Sequence, residues 1–290
     1  FATSLPELTT AVSAGRLGVP NLSAGDLFGS GIYNLAILAA LDLIYYRRKM
    51  LKSVTLGHVV SGGLAIVMTA AAAIFIILRS DYSIAWISWS SLILLLIYID
   101  GIWLVKRNEE AISKKRLESR TKKAEVKVSA FLLERPWWQL GLGMTAAALA
   151  IFIAAPLMIT AANKISLATG LKETFFGTLL IAFVTSLPEL AVSVTAVRLG
   201  AFDLVVGNIF GSNSFNMATL VVLDIFYTKG SIFAVISPIN AITGLFIILI
   251  TTLALMGLVF HSEKRYLFVE PDAVLILILC GLAMFLVWRF

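Results

Sequence analysis

The chain has 290 residues, of which 59% are hydrophobic and only 14% charged, and it carries a net charge of +6. That mix lies far from a soluble domain's, and the basic excess sits in the connections between apolar runs, which argues for membrane orientation and against nucleic acid. The single Cys280 excludes an internal disulfide and reads as lipid-facing or packed bulk.

Apolar runs of the roughly 20 residues that cross a bilayer recur along the chain. They fall at Leu22–Tyr45, Val54–Leu78, Ile84–Val105, Trp138–Ala162, Thr174–Val197, Leu204–Tyr227, Ile232–Phe260 and Ala273–Trp288. Residues Phe1–Ala14 read as the remainder of a further helix. The expected class is an all-α polytopic membrane protein.

The first eight residues, Phe-Ala-Thr-Ser-Leu-Pro-Glu-Leu, return as Phe183–Leu190 with one change. In unbroken register, Arg16-Leu17-Gly18 returns as Arg198-Leu199-Gly200, Phe28-Gly29-Ser30 as Phe210-Gly211-Ser212, Asn34 as Asn216 and Leu41-Asp42 as Leu223-Asp224. The best-kept positions of this duplication are polar. The second copy has a full span and half a helix ahead of Phe183, so about 45 residues, or one and a half helices, are expected upstream of Phe1.

Threading the runs through a membrane puts the connections on two sides. Arg47, Arg48, Lys49, Lys52, the stretch Lys106–Arg135, Arg198, Lys264 and Arg265 fall on one side. Arg16, Arg79, Lys164, Lys172, Lys229 and Arg289 fall on the other. The first side holds nearly three times the positive charge and is expected to be cytoplasmic, with contact to anionic headgroups as a secondary consequence. Lys106–Arg135 reads as a solvated, partly helical linker, and Pro136-Trp137-Trp138 marks re-entry at the interface. The expected organisation is a first repeat over 1–105, a cytoplasmic linker over 106–136 and a second repeat over 137–290. Five crossings separate the helices of Glu7 and Glu189. An odd number makes the repeats inverted, an arrangement that places a substrate site at the repeat interface near mid-membrane.

Glu7 and Glu189 are the central expectation. An ionisable group at mid-span costs about 2.5–3.5 kcal/mol by insertion scales. No Lys or Arg lies at mid-depth to pair with them, which leaves a bound cation or protons, or a structural pair of protonated acids. Pro6 and Pro188 lack the N–H that would bond the carbonyl four residues back, so Ala2 and Val184 are expected to lose their helical partners. Unwound backbone at such depth is tolerated where it lines a cavity or coordinates an ion. Thr3 with Glu7, and Thr185 with Glu189, share a helix face at i, i+4, with Ser4 and Ser186 beside them. Ser30 with Asn34, and Ser212 with Asn216, repeat that spacing, while Gly29 and Gly211 permit close helix approach. The set makes an oxygen-rich cage with two negative charges, suited to a hard cation such as calcium, which takes about six to eight oxygen ligands, or to sodium. His58 and His261 lie near span ends and read as incidental, so zinc or copper is not indicated.

Asp42 and Asp224 invite comparison with intramembrane aspartyl proteases. Each lies eight residues beyond its Asn, about 12 Å along a helix at 1.5 Å per residue, and inversion sends them toward opposite faces, where they form no dyad. They line access routes or bond to neighbouring helices. Asp26, where the second repeat has Asn208, and Asp100 lie near span ends and are weak candidates. A channel is disfavoured by the lack of a selectivity loop or extended polar stripe.

At Thr3-Ser4-Leu5-Pro6-Glu7 with Gly29-Ser30 and Asn34, and at Thr185-Ser186-Leu187-Pro188-Glu189 with Gly207-Asn208, Gly211-Ser212-Asn213 and Asn216, the chain resembles the cation/calcium antiporter superfamily, in its prokaryotic sodium/calcium exchanger branch. The resemblance implies an inverted-repeat fold of ten helices, of which this chain lacks the first and half of the second. It implies that Glu7 and Glu189 ligate calcium, and that Thr3, Ser4, Ser30, Thr185, Ser186 and Ser212, with the carbonyl of Ala182, help to hold sodium. Antiport, not enzyme chemistry, is implied, with sliding of two gating helices in the cell (inner) membrane and no cofactor beyond the transported calcium and sodium. Three departures stand out. Asn34 and Asn216 are both amides where sodium/calcium exchangers often have one aspartate, Gly31 stands opposite Asn213, and Ala2 and Val184 replace glycine. The first departure makes a calcium/proton exchanger the alternative, although neither Gly25-Asp26 nor Gly207-Asn208 continues in the Gly-Asn-x-x-Glu pattern of proton-coupled relatives.

Overall fold

The computed structural model describes residues 2–45, 54, 57–79, 81–118, 136–260 and 271–289. The expectations for Arg47, Arg48, Lys49, Lys52, His261, Lys264, Arg265 and residues 119–135 lie outside them. The chain is helical almost throughout: α1 (Leu5–Leu17), α2 (Pro20–Ile44), α3 (His58–Leu78), α4 (Trp89–Glu118), α5 (Trp137–Thr169), α6 (Glu173–Phe176), a π-helical turn (Gly177–Ile181), α7 (Ala182–Thr185), α8 (Leu187–Arg198), α9 (Phe202–Phe226), α10 (Ile232–Val235), α11 (Pro238–Phe260) and α12 (Pro271–Arg289). Among the described residues, seven helices are long and apolar enough to cross a membrane, and the pair Glu173–Thr185 and Leu187–Arg198 makes an eighth span bent by 41°.

The repeated Arg-Leu-Gly marks a repeated helix stop. Gly18 and Gly200 take left-handed φ values of 73° and 74°. Behind them the N–H of Val19 reaches Ala14 O at 3.0 Å and that of Ala201 reaches Ala196 O at 2.8 Å. This is the Schellman closure, which a residue with a Cβ resists. Pro20 then opens α2 within its first turn, where the missing N–H costs nothing.

Three predicted runs differ in outline. Ile84–Val105 begins as a two-stranded hairpin, Ser83–Ile84 with Ile87–Ser88. It is pinned by the Trp86 indole on Ile225 O at 3.0 Å, and the helix starts only at Trp89. Trp138–Ala162 continues to Thr169, where Gly170 turns left-handed at φ 72° and the Ser166 hydroxyl bonds Leu171 O. Ile232–Phe260 breaks before Pro238, because proline forces the preceding residues out of the α region. The Ser237 N–H exposed by that break donates to Asn21 Oδ1 at 2.7 Å.

The two helices carrying the Gly-Ser and Asn motifs, α2 and α9, form the centre. In their most apolar stretches 67% and 72% of residues are buried, against 11% in the outlying α5. Gly29 sets the approach of α2 to the π-helical turn, since a Cβ there would stand 2.7 Å from the Thr178 Cα. The two helices also touch through repeat-related positions. Asn213 donates to Gly31 O at 3.4 Å and accepts from the Asn34 amide at 2.9 Å. A Cβ at position 31 would lie 2.7 Å from the Ile247 Cδ1, so a side chain there would require Ile247 to shift. One asparagine thus spans the contact, which accounts for the Gly31/Asn213 mismatch.

Candidate cation-binding site

Each Pro-Glu pair stands just after a break. Ser186, at φ −82° and ψ −1°, separates α7 from α8, and Ser4, at φ −93° and ψ 14°, precedes α1. Proline at the second position starts a new helix, so Glu7 and Glu189 fall in first turns, where the helix dipole favours negative charge. Both glutamates are 0% exposed.

Around Glu189 the predicted hydroxyls converge. Its Oε1 accepts from Ser212 Oγ at 3.2 Å and from Ser4 Oγ at 3.4 Å, and those two hydroxyls lie 3.3 Å apart. Thr3 stands next to the same carboxylate. Residues from both repeats therefore meet on one acid. Glu7 is held less closely: Ser30 stands next to its carboxyl, but neither of its oxygens has a hydrogen-bond partner within 3.5 Å. It lies within electrostatic reach of Glu189 and of Asp26.

Asp26 corrects the sequence reading, which placed it at the margin. It is fully buried, its Oδ2 accepting from Thr10 Oγ1 at 2.5 Å and its Oδ1 from Thr185 Oγ1 at 2.7 Å and Ser30 Oγ at 3.5 Å. Ser30 and Thr185 lie 3.1 Å apart. Three buried carboxyl groups, where the sequence reading counted two, therefore stand at the centre. A signal was available: Asp26, Ser30 and Asn34 recur every fourth residue and so share one face of α2. Its counterpart Asn208 donates to Glu189 O at 3.3 Å and to Ser193 Oγ at 3.2 Å.

The remaining predicted residues are buried but less tied. Asn34 bonds Asn213 and leaves its Oδ1 free of donors, Ser186 Oγ has no partner, and both amide atoms of Asn216 are unpartnered. The Ala182 carbonyl accepts the Ser186 N–H at 3.0 Å and the Thr185 hydroxyl at 3.3 Å. Among the described residues, seven of the eleven buried side-chain atoms without a partner belong to predicted site residues. Buried polar groups are nearly always satisfied, so this concentration sets the centre apart from the rest of the described interior. No group of three His, Cys, Asp or Glu among the described residues is arranged to hold a metal by itself. Any cation here must also take hydroxyl, amide or carbonyl oxygen.

The outlying acids separate from this cluster. Asp224 accepts from the Ser88 N–H at 2.7 Å, Ser91 Oγ at 2.6 Å and the Ile232 N–H at 3.0 Å, which fixes its role as a bond to neighbouring elements. Asp42 is buried near the end of α2, and Asp100 is exposed on α4. His58 pairs with Asp203 at 3.3 Å. Cys280 is buried, its thiol 3.7 Å from Ile32 O.

A multi-pass membrane protein whose two related halves bring hydroxyls and buried carboxyls together at their centre is the class this fold and site define. The chain belongs to the sodium/calcium exchanger protein family, whose model matches residues 1–105 and 140–289. It is 28% identical over 215 residues to the uncharacterized membrane protein MJ0091 of Methanocaldococcus jannaschii, a match covering 73% of this chain and 63% of that protein. The chain thus spans somewhat less than two thirds of this relative. Its fold is similar to the solved sodium-calcium exchanger NCX_Mj, with TM-score 0.57 at 21% identity, covering 98% of this chain and 82% of that one. It is also similar to the H+/Ca2+ exchanger CAX, with TM-score 0.61 at 14% identity, covering 99% and 77%.

Proposed function

We propose that the protein is a secondary active antiporter that exchanges calcium for sodium by alternating access, with Glu7 and Glu189 binding the cation at mid-membrane. The observation that carries this reading is the meeting of both repeats on buried carboxylates whose remaining oxygens have no partner. Two ionised acids without a basic partner are costly in a low-dielectric interior. A divalent cation between them removes that cost and supplies the missing contacts, and sodium ions on the surrounding hydroxyls do the same work with a different charge count. Calcium and sodium then compete for shared oxygens, which is what couples their movements.

Movement follows from the least embedded helix. Alternating access is carried by sliding of two gating helices against the centre, and the long helix α5, which packs against α1 but is otherwise mostly exposed, has the freedom to be one of them. The basic stretch from Lys106 to Arg135 faces the cytoplasm, by its charge, in the cell (inner) membrane.

Purified protein in sodium-loaded liposomes is expected to accumulate calcium when diluted into sodium-free medium. Uptake indifferent to sodium but driven by an imposed pH difference transfers the assignment to calcium/proton exchange, the coupling carried by the fold neighbour CAX. Absence of calcium uptake under both gradients rejects the reading.

A further inference from the structure

The last turn of α9 holds several elements together on the side opposite Lys106–Arg135. On one flank the attachment is made of hydrogen bonds. Asp224 takes the Ser88 N–H, the Ser91 hydroxyl and the Ile232 N–H, and Ile225 O takes the Trp86 indole, which fixes the hairpin, the start of α4 and α10. On the other flank, the attachment to the end of α1 is of another kind. At Gly15 a Cβ would stand 2.9 Å from the Phe226 Cβ and 3.0 Å from Leu223 O, so the bare glycine sets the approach. The Arg16 guanidinium lies 5.0 Å from the centre of the Phe226 ring. The Lys229 amine lies over Gly18, 2.7 Å from where a Cβ would be, at a helix end where the macrodipole favours a cation. Arg16 and Lys229 are exposed and Phe226 is half-buried. Water can replace their contacts when they part.

We propose that Arg16, Phe226 and Lys229 form a latch that holds α1 shut on α9 at the non-cytoplasmic end, and that it must open before the central site reaches that side. The inference rests on the antiporter reading and on the orientation taken from charge. In it α1 is the lever and the anchored end of α9 is the fixed post. The helix has 13 residues and lies between the break at Ser4 and the left-handed Gly18. Glu7 sits in its first turn and Arg16 in its last, about 14 Å apart along a helix that rises 1.5 Å per residue. A stiff helix of this length carries movement at one end to the other. On its far side α1 packs against α5, so a slide of α5 pulls against the latch.

The device belongs to one end of the molecule. Arg16 and Gly18 return in the second repeat as Arg198 and Gly200, but Val197 stands in place of Gly15 and Ile44 in place of Phe226. A valine prevents the backbone approach that Gly15 permits, and isoleucine offers no ring to a guanidinium. Ile44 is 68% exposed. Among the described residues nothing lies within 4 Å of a Cβ built at Gly200. Packing inherited from the duplication would repeat at both ends, and this closure does not.

The test is the rate at which a membrane-impermeant thiol reagent labels Ser23→Cys from outside, in the full-length protein with Cys280→Ala, in right-side-out membrane vesicles. Ser23 is buried, its hydroxyl has no partner, and it shares one face of α2 with Asp26 and Ser30. It therefore lies between the outer end and the acids. Arg16→Gln combined with Lys229→Gln, both at exposed positions, is expected to speed labelling about two- to fivefold, the worth of an exposed cation–π contact. Gly15→Val, which copies Val197, is expected to speed it as well. Ile44→Ala, at the opposite end, should leave the rate unchanged. An unaltered rate in the double variant overturns the inference, as does equal acceleration by Ile44→Ala, which reports general loosening. If Gly15→Val does not fold, the double variant decides alone. Labelling needs no transport, so a negative result leaves calcium uptake by the unaltered protein, and with it the antiporter reading, in place. Latch-dependent labelling without any calcium uptake rejects that reading and keeps the latch.

Discussion

Glu189 and Glu7 occupy equivalent places in two copies of one motif, each buried at the start of a helix behind a proline, yet their surroundings differ. Glu189 accepts hydrogen bonds from Ser4 and Ser212. Glu7 has no hydrogen bond within 3.5 Å, although Ser30 stands beside it, and Thr185 bonds Asp26. The difference turns on two positions, Asp26 against Asn208 and Thr10 against Val192. Duplication preserved the acids and the helix breaks, which any mid-membrane cation site of this design needs. The motif hydroxyls are duplicated as well, so the difference lies at Asp26 and Thr10, which draw Thr185 to Asp26.

The largest effect should follow from removing either acid. Glu7→Gln and Glu189→Gln each take one acid from the proposed calcium position, and loss of a paired buried charge costs about 3–5 kcal/mol. Calcium uptake into liposomes is expected to fall at least about a hundredfold in both variants, since 1.4 kcal/mol is a factor of ten. Normal flux in either variant breaks the claim that both repeats serve one ion.

Close helix approach on the first repeat gives the next effect. Gly29→Ala would press a methyl group to within 2.7 Å of Thr178 backbone atoms, and overpacking of this kind costs about 1–3 kcal/mol. A lowered midpoint of thermal unfolding in detergent is expected. An unchanged midpoint would mean that α2 and the π-helical turn are not rigidly apposed.

Much of this comparison was legible in the sequence. The repeated Pro-Glu predicted paired breaks with an acid just beyond each, because a missing N–H has the same consequence in any helix. The repeated Arg-Leu-Gly fell where two helices end. Asp26 was misjudged because distance along the helix was weighed before the face it shares with Ser30 and Asn34. That Thr10 and Thr185 come from different repeats to meet it depends on tertiary approach, which local spacing does not encode. The π-helical turn at Gly177–Ile181 was likewise hidden, since its widened register is stabilised by neighbours such as Tyr33, whose hydroxyl bonds Leu179 O at 3.0 Å. For Asp224, of the two readings that the sequence offered, its contacts with Ser88, Ser91 and Ile232 support bonding to neighbouring elements.

Stability without cations separates the two acids more finely. Glu7→Gln replaces a buried carboxyl whose oxygens have no hydrogen-bond partner within 3.5 Å, whereas Glu189→Gln disturbs two hydrogen bonds. The first change is expected to raise the unfolding midpoint in chelator, by about 1–2 kcal/mol of stability, and the second to leave it level or lower it. Equal shifts for the two variants would remove the asymmetry.

The smallest effect distinguishes the serines that precede the prolines. Ser4 donates to Glu189 at 3.4 Å and neighbours Ser212 at 3.3 Å, both long contacts, so Ser4→Ala is expected to cost about 1 kcal/mol of cation-free stability. Ser186 is as deeply buried but its hydroxyl bonds nothing. Its removal spares an unsatisfied group, and Ser186→Ala should fall within about 0.5 kcal/mol of wild type or slightly above it. Thermal scans of the two variants in chelator give the comparison directly. A Ser186→Ala loss as large as that of Ser4→Ala would mean that Ser186 bonds Glu7 in the folded protein, and that the two halves of the site are equivalent before an ion binds.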